Sequence, residues 1–81
     1  MDTKKEIIDA VIISKANSRI GRSGNPVTEL EDGAAFKDMW IDSLDVMEII
    51  MECERIFGVT IPNDKIVNLF TKEDIYRLFE A

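Results

Sequence analysis

The pattern of apolar residues between positions 43 and 57 constrains the fold most. These residues recur at the three- and four-residue spacing of one face of an α-helix. The predicted core face consists of Val46, Ile49, Ile50, Cys53 and Phe57. Gly58 follows directly, and glycine commonly ends a helix because it adopts the left-handed conformation without strain. The chain is therefore predicted to contain a strongly amphipathic helix from about Ser43 to Phe57.

Shorter helical patterns lie nearer both ends of the chain. The first predicted helix ends near Lys15, and its apolar face consists of Ile7, Ile8, Val11 and Ile12. Thr71-Lys72-Glu73-Asp74 resembles a capping box and predicts a last helix through Ile75, Leu78 and Phe79. Val59-Thr60-Ile61-Pro62 is predicted to be an extended link, since the residue before proline avoids the helical region. A short helix is predicted over about Asn63–Leu69.

A long loop is predicted between the first two helices, from about Asn17 to Trp40. Its first ten residues contain two glycines, a proline and several small polar residues, which favour turns over helix. Its few apolar residues, Val27, Leu30 and Phe36, are the candidates for contact with the bundle. The predicted architecture is a single all-α domain over residues 1–81, a bundle of three long helices and one short helix with a long first loop.

Composition excludes several classes of function. The 81 residues are 46% hydrophobic, which is enough for one small core. The chain has no histidine, so the commonest catalytic base and most zinc sites are absent, and we predict neither catalytic nor metal-binding residues. A net charge of −6 argues against nucleic acid or an anionic membrane as partner and favours proteins with basic surfaces. With one cysteine and no apolar run of membrane-spanning length, we expect a cytoplasmic protein, and we expect it to be a monomer. The chain also has no glycine-rich phosphate loop and no metal-ligand spacing, so we do not expect an enzyme.

The predicted second helix has more features than a core face. Leu44, Met47 and Met51 fall in a sector away from the core, where a methionine-rich apolar surface suits contact with several partners. Five acidic residues and no basic residue lie between Asp42 and Glu54, so this helix is predicted to be electrostatically crowded. Asp45, Glu48 and Glu52 share one sector of it. This acidic stripe is typical either of a face exposed to solvent or of a surface that docks a partner protein.

Ser43 has two compatible interpretations from local sequence. A serine ahead of an apolar helical pattern is commonly an N-cap, with its hydroxyl accepting a backbone N–H. A helix N-terminus also favours a bound phosphate, because its N–H groups are unpaired and the helix dipole is positive there. Used only as a cap, Ser43 would fit an unmodified helical protein-interaction module.

The residues around Ser43 resemble the attachment site of acyl carrier proteins. The similar positions run from Ala35 to Phe79, over half of the chain, and include Asp42-Ser43-Leu44-Asp45, Glu48, Ile49, Met51, Glu54, Phe57 and Ile61-Pro62. The tripeptide Asp42-Ser43-Leu44 alone would be weak support. Its combination with the acidic amphipathic helix, the Ile61-Pro62 pair and the chain length is specific.

The resemblance implies a function and a set of residues. Ser43 corresponds to the serine to which a phosphopantetheinyl transferase joins 4′-phosphopantetheine from coenzyme A. The implied recognition residues, which meet enzymes with basic docking patches, are Asp42, Leu44, Asp45, Met47, Glu48 and Met51. The bundle interior, with Ile49, Ile50, Cys53, Phe57 and Ile66, corresponds to the region that shelters an acyl chain. The implied partners are acyl-transfer enzymes of fatty acid biosynthesis or a related pathway.

Two departures from the family pattern bear on the pathway. Members typically have glycine three residues before the serine, where this chain has Trp40, followed by Ile41. The loop at Arg19-Ile20-Gly21-Arg22 also differs from the usual first loop. A carrier for polyketide, nonribosomal peptide or another secondary pathway is therefore an alternative to the fatty acid role. Cys53, placed on the core face, is predicted to be buried and inert rather than a second thiol carrier.

Overall fold

The computed structural model of the protein describes residues 3–20 and 26–81, and at residues 19 and 20 only the helical backbone. The described chain forms three α-helices, as predicted: α1 (Thr3–Ile20), α2 (Ser43–Phe57) and α3 (Lys72–Leu78). Two short 3-10 helices, Phe36–Met39 and Asn63–Lys65, lie in the connections. Helix α1 packs against both α2 and α3. The predicted all-α bundle is confirmed, although α3 is only two turns long.

The core lies where the three helices meet. Its buried apolar residues are Ile8, Ile12, Ala16, Phe36, Ile41, Val46, Ile49, Ile50, Cys53, Ile75, Tyr76 and Phe79. Phe57 packs against this core, with its ring 5.4 Å from that of Phe79. The predicted core face of α2 is confirmed, and so is its end, since Gly58 has the left-handed φ of 68°. Among the described residues, no helix is long and apolar enough to cross a membrane.

Helix α1 is longer than predicted. The sequence prediction ended it near Lys15, but the helix continues to Ile20. Ala16 is fully buried and extends the face begun by Ile8 and Ile12 at four-residue spacing, which a search for large apolar residues misses. The predicted loop at Arg19–Arg22 therefore starts within α1. Its side chains, and residues 21–25, lie outside the described part of the chain.

The predicted helix over Asn63–Leu69 is also different in the structure. It is a single 3-10 turn of Asn63–Lys65, closed by a bond from the Ile66 N–H to the Asn63 carbonyl. Asn68 has a positive φ of 56°, which is incompatible with a continuing α-helix. Ile66 and Leu69 still pack against the core. The segment therefore contributes apolar contacts without forming a full helix.

The long first loop is held to the bundle at several points. The Asn17 side chain exchanges two hydrogen bonds with the Val27 backbone, at 2.6 and 3.1 Å. The buried ammonium group of Lys72 donates to the Leu30 carbonyl at 3.1 Å and pairs with the Asp32 carboxylate at 3.1 Å. Because these bonds fix the loop, its last turn carries the chain into α2 in one defined direction.

The last turn of this loop is also paired with the chain before α3. The Phe36 N–H donates to the Phe70 carbonyl at 2.8 Å, and an antiparallel bridge joins Ala35 to Thr71. Burial of the Phe36 ring places this turn against the core. The start of α2 and the segment before α3 therefore lie side by side.

Candidate functional site

Asp42, and not Ser43, is the N-cap of α2. The Asp42 carboxylate accepts the Asp45 N–H at 2.9 Å, and the Asp45 carboxylate accepts the Asp42 N–H at 3.2 Å. Ser43 is the first helical residue. The simple capping role considered for Ser43 is therefore wrong, because the neighbouring Asp42 carboxylate already accepts the Asp45 N–H.

The Ser43 side chain is exposed at the start of α2. No described residue forms a hydrogen bond with its hydroxyl, and the backbone N–H groups of Ser43 and Leu44 have no acceptor within the described chain. The first turn of a 15-residue helix thus presents unpaired donors and the positive end of the dipole beside this hydroxyl. A phosphate ester at Ser43 Oγ would lie in a favourable field.

An apolar groove of about 500 Å³ begins at Ser43. Its apolar lining comes from three segments of the chain and consists of Ala35, Phe36, Ile41, Val46, Leu69 and Phe70. Phe70 is 63% exposed. The family resemblance implies a different region for the acyl chain, the bundle interior with Ile49, Ile50, Cys53, Phe57 and Ile66. Phe57 and Ile66 are partly buried against the core. The structure buries the other three, Ile49, Ile50 and Cys53, completely within the packed core.

The acidic residues of α2 have more partners than the sequence predicted. Glu48 accepts from Lys15 of α1 at 2.6 Å. Glu52 pairs with Arg55, whose hydrogen bond and charge lower the pKa of the Glu52 carboxyl. The Glu54 carboxylate accepts the Ile61 N–H at 2.8 Å. The negative charge predicted to crowd the segment from Asp42 to Glu54 is therefore partly balanced by Lys15 and Arg55, which lie outside that segment.

Asp45 differs from the other predicted recognition residues because it is buried. Its carboxylate is directed to the Asp42 backbone, so its local role is to hold the start of α2. The remaining five predicted recognition residues, Asp42, Leu44, Met47, Glu48 and Met51, are exposed. The structure thus buries Asp45 in the helix cap and leaves the other five predicted recognition residues on the surface.

The apolar sector of α2 is exposed as the sequence predicted. Leu44 is 65% exposed, Met47 is 47% exposed and Met51 is 63% exposed. At spacings of three and four residues they form one ridge along the helix, beginning next to Ser43. Such a ridge is accessible to any protein that approaches the Ser43 hydroxyl.

Trp40 ends the 3-10 turn before α2 in a left-handed conformation. Its φ is 64°, and its side chain is 72% exposed. Glycine reaches this conformation without strain, whereas a side chain with a Cβ costs about 1–2 kcal/mol there. The next residue, Ile41, is buried and its N–H donates to the Phe36 carbonyl at 3.1 Å. The fold therefore imposes the left-handed conformation on a residue whose large side chain is mostly exposed.

Cys53 is fully buried, as predicted. Burial, together with the negative charge of Glu52, raises the pKa of the Cys53 thiol to about 11. A thiol in this environment is mostly protonated at neutral pH and is a poor nucleophile.

Comparison with known proteins identifies the family. The sequence profile described as "Phosphopantetheine attachment site" matches residues 11–78. The chain is 36% identical over 62 residues to an acyl carrier protein of Sinorhizobium fredii, which covers 75% of this chain and 80% of the relative. It is 34% identical over 57 residues to one from Wolinella succinogenes, covering 70% and 75% of the two chains. This protein belongs to the acyl carrier protein family.

A plant relative extends the comparison. The chain is 31% identical over 78 residues to the chloroplastic acyl carrier protein 2 of Hordeum vulgare. This match covers 96% of the present chain but only 58% of the barley protein. No solved structure matches the chain.

Acyl carrier proteins hold a covalent 4′-phosphopantetheine group and interact with acyl-handling enzymes. The region before and within α2 of this carrier fits such a group in two respects. The exposed Ser43 hydroxyl stands at unpaired helix N–H groups, and an apolar groove starts beside it. The match of residues 11–78 encloses this region.

Proposed function

We propose that this carrier protein holds acyl intermediates as thioesters on a 4′-phosphopantetheine arm attached to Ser43. The single observation that supports the position best is the exposed Ser43 hydroxyl at the start of α2, released from capping by Asp42. Ser43 Oγ would form an ester bond to the phosphorus of the pantetheine phosphate as the pyrophosphate bond of coenzyme A breaks. Adenosine 3′,5′-bisphosphate would leave, and the hydroxyl proton would pass to the transferase. The group supplies, when bound, the thiol that forms thioesters with acyl chains.

The residues around Ser43 have separate roles in this proposal. The Asp42–Asp45 cap fixes the first turn of α2, so that its N–H groups face the phosphate. The groove lined by Phe36, Ile41 and Leu69 offers an apolar surface to the start of an acyl chain. Sheltering the chain there would reduce its contact with water.

Partner enzymes are proposed to dock on the exposed ridge of α2. Leu44, Met47 and Met51 supply apolar contact, and Asp42 and Glu48 supply negative charge beside it. A basic, partly apolar patch is the complementary surface. Contacts of this kind are weak and salt-sensitive, which suits a carrier that exchanges among several enzymes.

The proposed pathway is fatty acid biosynthesis or a related acyl pathway. The named relatives are acyl carrier proteins, which favours an acyl cargo. Trp40, at a position where the family typically has glycine, and the unusual loop at Arg19-Ile20-Gly21-Arg22 make a carrier for polyketide, nonribosomal peptide or another secondary pathway the alternative. The cytoplasmic location and monomeric state expected from the sequence stay predictions.

A loading assay tests this function. The purified protein is incubated with coenzyme A and a broad-specificity phosphopantetheinyl transferase, and its intact mass is measured. We expect the wild type to gain one phosphopantetheinyl group and Ser43→Ala to gain none. Ser14→Ala, which removes an exposed hydroxyl on α1, is the matched control and should be loaded like the wild type. Loading of Ser43→Ala, or failure to load the wild type, would contradict the proposal.

A further inference from the structure

The most conspicuous residue that the proposed function leaves unused is Trp40. It is the only tryptophan of the chain, it is 72% exposed, and it has a left-handed φ of 64°. It does not belong to the core or to the residues packed against the core. Within the described chain, no aromatic ring or cation contacts its indole.

The fold does not require a tryptophan at this position. The turn is held by its neighbours, because Phe36 and Ile41 are buried and the Ile41 N–H bonds to the Phe36 carbonyl at 3.1 Å. Glycine would adopt the same conformation without strain and would expose less apolar surface to water. A large, strained and exposed aromatic residue is therefore explained by a contact outside the chain.

The position of Trp40 limits what can contact it. It lies three positions before Ser43, so the two Cα atoms are at most about 11 Å apart. A transient protein interface buries roughly 600 Å² on each partner, which corresponds to a patch of about 14 Å radius. The backbone of Trp40 therefore lies within the footprint of an enzyme whose active site is centred on Ser43.

We infer that Trp40 is a docking contact for the phosphopantetheinyl transferase that acts on Ser43. The inference rests on the proposed function. Its indole would enter an apolar recess of the transferase, and tryptophan is enriched among residues that dominate binding energy. Asp38 and Asp42, both exposed, flank Trp40, so basic side chains at the edge of the recess complete the match. Trp40 would thereby extend the α2 ridge to the other side of Ser43.

A glycine substitution separates docking from folding. For Trp40→Gly we expect kcat/KM of loading to fall about tenfold or more, mainly through a higher KM for the carrier. The melting temperature should stay the same or rise by a few degrees, because the left-handed strain is relieved. Trp40→Phe should recover part of the loss in kcat/KM. Ile56→Ala, which removes an exposed apolar side chain near the far end of α2, is the matched control and should load like the wild type.

Direct observation of the indole completes the test. The Ser43→Ala variant, labelled with 5-fluorotryptophan at Trp40, is titrated with the transferase and followed by fluorine NMR. We expect its single resonance to shift or broaden on complex formation. An unchanged resonance and a wild-type kcat/KM for Trp40→Gly would overturn the inference. The inference would also be overturned if the resonance of the labelled wild-type protein shifted only when the arm is attached, and Trp40→Gly left the loading kinetics unchanged. If wild-type protein is not loaded at all, the proposed function fails instead.

Discussion

The Asp42 carboxylate accepts the backbone N–H of Asp45 at 2.9 Å, and this bond separates the capping of α2 from the chemistry of Ser43. The residue that holds the helix terminus is adjacent to the residue that carries the exposed hydroxyl. A modification at Ser43 can therefore proceed without removing the cap.

Stability measurements should distinguish the two neighbours. Asp42→Ala removes the cap and is expected to lower the free energy of unfolding by about 0.5–2 kcal/mol. Ser43→Ala is expected to change it by less than about 0.5 kcal/mol, because its hydroxyl bonds to no described residue. Urea unfolding of both variants checks this. A larger loss for Ser43→Ala than for Asp42→Ala would show that Ser43 is the cap after all.

The Lys15–Glu48 pair should weaken the docking of basic partners. Lys15 lies 2.6 Å from a carboxylate on the proposed docking surface and competes there with cations of the partner. We expect Lys15→Gln to lower the KM of the transferase for the carrier about two- to threefold at low salt. The difference should shrink as added salt screens the charges.

Lys65→Gln is the matched control for this prediction. It makes the same change in net charge at an exposed site in the second 3-10 helix. A similar fall in KM for both variants would mean that net charge, and not the release of Glu48, controls docking.

The acid stability of the fold should depend on Asp74. Partial burial alone would raise the pKa of this carboxyl, but N–H donors from Phe70 and Thr71 and the charge of Arg77 hold it below its ordinary value of 3.8. The folded state therefore binds this proton less readily than the unfolded state. The resulting stability is present above about pH 4 and is lost as the pH falls through the folded-state pKa.

Unfolding experiments as a function of pH test this dependence. Asp74→Asn should cost about 1–2 kcal/mol at pH 7, since the N–H donors then bond to a neutral amide oxygen instead of a charged carboxylate, and the deficit should shrink towards acidic pH. Asp64→Asn removes the same charge from an exposed site and is the control. A deficit for Asp74→Asn that is equal at pH 7 and at pH 2.5 would contradict the assignment.

The Cys53 thiol should react slowly in the folded protein. Its pKa is raised from 9.0 to about 11, so the thiolate fraction at pH 8 is about 100-fold lower than for an ordinary thiol. We expect iodoacetamide to alkylate the native protein at least 100-fold more slowly than the protein in urea. Comparable rates in the two states would mean that the thiol is accessible and could itself compete for acyl groups.

The sequence predicted the features that depend on one helix. The bounds of α2 followed from the spacing of its apolar residues and from Gly58. The burial of Cys53 and the exposure of Met51 followed from their positions on different faces of the same helix. Helix α1 was predicted too short because Ala16, which extends its core face, is small and is easily taken for a neutral residue.

The features that depend on distant segments could not be predicted. The groove beside Ser43 joins Phe36 and Leu69, which are far apart in sequence, and no local period relates them. The pairing of Lys15 with Glu48 depends on how α1 crosses α2. The choice between Asp42 and Ser43 as cap depends on backbone conformation, since both residue types are good N-caps.

Localisation of the modification in the protein from its native host tests the central claim most directly. Trypsin should release residues 38–55, a peptide that contains one serine, Ser43, one cysteine, Cys53, and no threonine. We predict that fragmentation of this peptide places a phosphopantetheinyl group, with or without an acyl thioester, on Ser43 and leaves Cys53 unmodified. An unmodified peptide, or an acyl group on Cys53, would contradict the account.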